Sequence, residues 1–253
     1  MTETIEETSD LNSPLARLCQ NRISGEEVVE LLQKYGIISQ LQRELVVDTA
    51  VSSIDLTAEE IFGGYKAFYQ QHQLNSDEDR ANWLECNHLT LAQFEHFVLR
   101  TLKLDRFKRE TFASKVDSYF LERKSQLDRA SYSVLGVKSF HLAQELFLQV
   151  QDGEVDFLEL IKQYSKGQAD ETNGLKGPHE LSVPHPILAD RLRSLKQGQL
   201  SLPLQIANWF IIVRLEKYFP AQLDEKMRMR SIDELYESWI QTRLNQSIKA
   251  FEI

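Results

Sequence analysis

Cysteine, basic clusters and long apolar runs are all scarce in this chain of 253 residues. Its two cysteines, Cys19 and Cys86, form no Cys-x-x-Cys pair. This argues against a thiolate metal site and fits a reducing compartment. The six histidines, His72, His88, His96, His141, His179 and His185, are scattered. None repeats at metal-ligand spacing, so no metal or other cofactor is expected. Acidic residues outnumber basic ones, for a formal net charge of -9. The one dense basic stretch, Lys103 to Arg109, alternates with acids and apolar residues as a solvated helix face does. Nucleic-acid binding is therefore not expected. No apolar run approaches the roughly 20 residues that span a bilayer, so membrane insertion is not expected either. The first ten residues are polar and acidic, with no positively charged start and no apolar stretch after it. They do not read as a signal peptide, and the expected location is cytoplasmic.

What remains is an ordinary globular composition, 42% apolar and 26% charged, long enough for one large domain or two modest ones. Residues 1–14 read as a disordered tail ending at Pro14. From 15 to 128 the pattern is helical. Ser24-Gly-Glu-Glu27 is a capping box followed by Val28, Val29, Leu31 and Leu32, with Gly36 as the stop. Ile37 to Ala50 forms a second helix. Thr57-Ala-Glu-Glu60 opens a third, which Gly63 and Gly64 are expected to weaken. Asn75-Ser-Asp-Glu starts a fourth, and Thr90-Leu-Ala-Gln93 caps a fifth through Phe94, Phe97, Val98 and Leu102. A further helix runs from about Phe112 to Leu127. The aromatic stripes on these helices read first as core packing.

Composition changes after residue 128. Ala130 to Val137 reads as a strand, Phe140–Gln151 and Phe157–Tyr164 as helices, and Lys166–Pro186 as loop. Pro186–Leu195 is helical, Leu200–Leu204 a short strand, and Trp209–Leu215 the strongest strand signal. Leu223–Phe251 is a long helix with Ile232, Leu235, Trp239 and Leu244 on one face. The expected class is α+β. A mainly helical lobe combines residues 15–128 with a C-terminal helix, 219–253, and a small, mostly antiparallel sheet occupies 129–218.

Several short signals fall in order within that sheet segment. They are Gly153 closing a helix, Asp156-Phe157 opening the next, Tyr164-Ser165, the Gly174/Gly177 turn, Leu195-Lys-Gln-Gly198-Gln with Ser201 and Pro203, and the strand around Trp209. Together they resemble a parvulin, the small peptidyl-prolyl isomerase fold. The flanking helices resemble the chaperone lobe of the SurA and PrsA type. The resemblance implies an apolar proline pocket and a polar centre with two histidines and an Asp or Cys. The first histidine position falls within Tyr132 to Val134, and the second falls on Phe210. The acidic or thiol position falls near Lys166 or Gly167, and the Met and Phe pocket positions fall near Pro184 and Leu188. Both histidines are thus replaced, with Phe210 expected opposite Ser133 or Val134.

The expected function is a folding factor that binds extended, proline-containing polypeptide, with isomerase activity weak or lost. Export-bound chains are among the conceivable clients. The alternatives are an active isomerase with a divergent centre and a non-catalytic adaptor for one protein partner. Candidate catalytic residues are Ser133, His179 and His185. Candidate substrate-binding residues are Ser133, Leu188, Leu192, Trp209 and Phe210.

Overall fold

The computed structural model describes residues 23–164 and 174–251, with side chains to 246. The chain divides into two compact units, one of residues up to Ala113 together with those from Ile232 onward, the other Ser114–Ser231. The expected tail at 1–14, Cys19, and Ser165 with Lys166 and Gly167 all lie outside the described residues.

The first unit is helical. It contains α1 (Gly25–Lys34), α2 (Ile38–Val51), α3 (Ala58–Gln71), α4 (Asp77–Cys86) and α5 (Leu91–Phe112). Four of these five start on complete capping boxes: Ser24 with Glu27, Thr57 with Glu60, Ser76 with Asp79, and Thr90 with Gln93. Each cap contributes about 1 kcal/mol. That matters here because α1, α3 and α4 bury no residue completely, and a short helix without a buried face is marginal by itself. Phe68, Trp83 and Phe94 meet edge-on across α3, α4 and α5, with ring centroids 5.1–5.7 Å apart. Gly64 was expected to weaken α3. Instead α3 runs unbroken, and a Cβ at Gly64 would collide with the Leu102 side chain of α5. The glycine lets two helices approach closely.

The second unit begins with a 3-10 turn at Ala113–Lys115 and α6 (Val116–Leu127). After it come β1 (Arg129–Val137), α7 (Phe140–Gln151), α8 (Phe157–Tyr164), β2 (Leu175–Glu180), α9 (Pro186–Ser194), β3 (Leu204–Ile206) and β4 (Trp209–Phe219). The four strands form one antiparallel sheet in the order β2-β1-β4-β3. The α+β class is as the sequence indicates.

Three details differ from expectation. β2 lies within the stretch read as loop; its Lys-Gly-Pro-His sequence has no apolar alternation, and as an edge strand it tolerates proline. Gly177 is needed there, at φ +95°, because a side chain would run into the Ala130 carbonyl of β1. β3 starts at Leu204, and Leu200 makes only an isolated bridge to Arg214. Third, the long α10 (Glu225–Phe251) buries Ser231, Ile232, Tyr236 and Ile240 rather than the Ile232, Leu235, Trp239 and Leu244 stripe. Within the helical unit Trp239 packs on Phe107, Glu237 pairs with Arg43 at 2.5 Å, and Asp233 pairs with Lys108 at 2.9 Å.

The sheet carries a core on each face. On one, Ala130, Tyr132, Val213 and Leu215 pack with Leu188, Ala189 and Leu192 of α9. On the other, Leu135, Val137 and Ile212 pack with Ala143 and Leu146 of α7 and with Phe157, Leu160 and Ile161 of α8. Where β1 begins, the buried Asp128 carboxylate accepts from the Tyr218 hydroxyl (2.6 Å), the Ala221 N–H (2.7 Å) and Lys124 Nζ (3.2 Å). Burial alone would raise the Asp128 pKa, yet the three donors outweigh it and hold the carboxyl below its usual value. Burial, then the bond to Asp128, pushes Tyr218 up to about 12.

Candidate functional site

Register decides which of the expected site residues can act together. Across β1 and β4, Ser133 faces Arg214, Val134 faces Val213, Leu135 faces Ile212, and Val137 faces Phe210. Phe210 is therefore not opposite Ser133 or Val134 as expected. It lies at the far end of the pair, four residues along, or roughly 13 Å at strand spacing. β4 continues to Phe219, and β1 shifts register by a bulge between Ser131 and Tyr132.

Ser133 is fully buried, and its hydroxyl donates to Glu216 Oε1 at 2.7 Å. The same oxygen accepts from Arg214 Nε at 2.8 Å. A terminal nitrogen of Arg214 lies 4.0 Å from Asp156, and its guanidinium sits 5.5 Å above the Phe157 ring. A hydroxyl, a carboxylate and a guanidinium thus occupy the middle of this sheet face as a closed chain of partners. The polar centre is rewired rather than filled with apolar groups. The carboxylate that accepts from Ser133 is shared with Arg214, and no histidine stands opposite Ser133 in the β1–β4 register.

The two loop histidines are elsewhere. His179 is exposed on edge strand β2, paired with Ala130. His185 caps α9, its Nδ1 accepting from the Ile187 N–H at 3.3 Å. Leu188 and Leu192 are buried in one cluster with Tyr132 and Val213. Burial raises the Tyr132 pKa.

Trp209 and Phe210 remain near the surface. Trp209 is 44% exposed and lies over Gly136, and Lys138 Nζ sits 4.9 Å from its ring centroid. Phe210, half-buried, meets Phe140 edge-on at 5.4 Å, and Phe140 is 46% exposed. Strand alternation puts Trp209 and Phe210 on opposite faces of one sheet end, so the structure places three aromatics and a lysine around the tip of the β1–β4 pair. Sequence reasoning missed Phe140, Lys138, Arg214 and Glu216. The last two had a visible signal: Arg214 and Glu216 are polar at i and i+2 inside an apolar strand, which aims both at one face.

Among the described residues there is no cluster of metal-ligating side chains and no helix long and apolar enough to cross a membrane.

Residues 138–217 match the family model of the PPIC-type PPIASE domain, Rotamase. The match begins one residue after β1 and ends within β4. No curated protein matches the chain. Among solved structures it is similar to the peptidylprolyl isomerase PrsA from Bacillus anthracis, at 20% identity over 82% of this chain and 97% of that one, TM-score 0.47. It is also similar to PrsA from Bacillus cereus, at 22% identity over 89% and 85%, TM-score 0.46. A SurA-like chaperone of Campylobacter jejuni aligns at 15% identity over 90% and 92%, TM-score 0.37.

Proposed function

We propose that this chain is a folding factor that holds extended, proline-containing polypeptide on its PPIC-type domain, with prolyl isomerase activity weak or lost. The observation that carries the reading is the aromatic tip of the sheet. Trp209 and Phe140 are each nearly half exposed at the end of a domain of the rotamase type. A flat aromatic surface stacks well on a pyrrolidine ring, and it needs no chemistry from the protein to do so.

The case for weak catalysis is physical. Rotation about a prolyl amide must cross a barrier near ~18–20 kcal/mol, and an enzyme lowers it only by binding the twisted amide better than the planar one. The polar groups best placed for that, Ser133, Arg214 and Glu216, are committed to one another. The aromatic tip offers only shape and desolvation, and a less polar surface favours the twisted amide weakly when no polar group is aimed at it.

The helical unit supplies a second surface for the same client. Phe62 and Phe97 are 73% and 51% exposed, and a groove of about 320 Å³ runs between α3 and α5, with Phe68, Phe97 and Leu102 along it.

The test is exchange NMR on a panel of Xaa-Pro peptides, with Trp209→Ala as the variant. Trp209 is exposed enough for the variant to fold. Saturable peptide shifts without accelerated cis/trans exchange, weakened in the variant, are the expected result. Absence of any saturable shift overturns the reading. Exchange well above background makes the protein an active isomerase with an unfamiliar centre.

A further inference from the structure

A groove of about 780 Å³ lies in the sheet unit, formed by the α7–α8 turn and the segment from Leu195 to Leu202. Phe147 and Val150 of α7 form one apolar wall, and Leu200 and Leu202 contribute another, with Leu202 60% exposed. Two guanidinium groups line it, Arg191 from α9 and Arg214 from β4. Their circumstances differ. Arg214 is held by Glu216 and by the Phe157 ring. The nearby Asp156 is engaged as well, because its Oδ1 accepts the Leu158 N–H at 2.7 Å. Arg191 has no carboxylate partner among the described residues; its one hydrogen bond there is through its carbonyl, to the Ser194 hydroxyl.

The groove therefore combines apolar walls, one guanidinium fixed in place, the Asp156 carboxylate beside it, and a second guanidinium, Arg191, that no ion pair holds among the described residues. An arginine fork matches a carboxylate with two parallel hydrogen bonds, and such charge-assisted bonds are about twice as strong as neutral ones. Gly153 and Gly198 are exposed at the groove, so a chain can pass along it without having to end there.

We propose that this groove binds an internal polypeptide segment carrying a carboxylate side chain between apolar ones. The carboxylate accepts from Arg191, and the apolar neighbours lie on Phe147, Val150 and Leu202. The site is separate from the aromatic tip of the sheet, and it reads acid-apolar sequence where the tip reads proline.

The experiment is an amide-resolved NMR titration of the full chain with proline-free peptides of alternating leucine and glutamate, acetylated and amidated at their ends. The glutamate peptide is expected to shift the Gly153 and Gly198 amides saturably, with the glutamine analogue about tenfold weaker, as loss of one charge-assisted pair implies. Arg191→Ala should erase that difference, and Arg191→Glu should reverse it, with the rest of the spectrum unmoved. Equal binding of both peptides overturns the proposal, and so does a preference that survives Arg191→Ala. A glutamine peptide with a free C-terminal carboxylate binding as tightly as the glutamate peptide would assign the groove to chain ends instead. Because these peptides lack proline, failure here leaves the reading of the aromatic tip standing.

Discussion

The two units are stabilised in different ways. Of the twelve largest fully buried side chains among the described residues, only Ile240 belongs to the helical unit. The other eleven lie in the sheet unit, where helices cover both faces. The helical unit relies on capping boxes, ring contacts and ion pairs such as Arg100 with Glu44 (2.6 Å) and Asp48 (2.5 Å). A unit held by burial has one tightly specified packing. The helical unit has buried residues of its own, Phe94, Val98 and Phe112 among them, and adds caps and surface pairs to that smaller core.

The contrast is broken most directly by deletion in each core. Phe157→Ala should cost about 3–5 kcal/mol, whereas Phe97→Ala, at a half-exposed position, should cost under ~1 kcal/mol. Urea unfolding measures both, and a Phe97→Ala cost equal to that of Phe157→Ala would erase the distinction. Gly64→Ala sharpens it from the other side. Helix propensity favours alanine by about 1 kcal/mol, but the collision with Leu102 should outweigh this and leave a net loss of ~1–2 kcal/mol. A more stable Gly64→Ala protein would show that α3 and α5 are free to move apart.

Titration probes one carboxyl and one phenol of the sheet unit. The Asp128 carboxyl is held below its unfolded value of 3.8, so its contribution is complete above that pH and is lost as pH falls through the lower, folded value. The raised Tyr218 pKa acts in reverse: its contribution is complete below pH 10 and is lost as pH rises toward about 12. Thermal melts across pH should show both arms, and Asp128→Asn should flatten the acid arm. An unchanged acid arm in that variant would mean other carboxylates dominate. The smallest effect expected is that of salt. Raising ionic strength should lower stability by no more than ~1 kcal/mol for each exposed pair, such as Arg43–Glu237 in the helical unit and Arg228–Asp117 in the sheet unit.

The helices were legible in the sequence because their signals are local. Ser24, Thr57, Ser76 and Thr90 each announce a start within four residues, and all four are seen as complete boxes. Strand partnership was not legible to the same degree. β4 has Trp209 to Val213 as one apolar run, so the pattern fixes neither its register against β1 nor the side to which Phe210 turns. β2 gave no periodic signal because most of it is exposed at an edge. The candidate site suffered accordingly. Of the residues chosen from the sequence for substrate binding, Trp209 and Phe210 lie together at one strand end, whereas Leu188 and Leu192 pack in the core of the sheet unit. Ser133 was noticed without Glu216, because a hydrogen bond between residues 83 positions apart has no trace in local pattern.

Asp128 has one more consequence, for modularity. Its carboxylate binds Tyr218 and the Ala221 amide, so the chain meets the sheet and departs from it at a single point. A segment whose two ends are pinned side by side closes into a loop whatever is attached outside it. The carboxylate works as a clasp that holds the two ends of the sheet segment together.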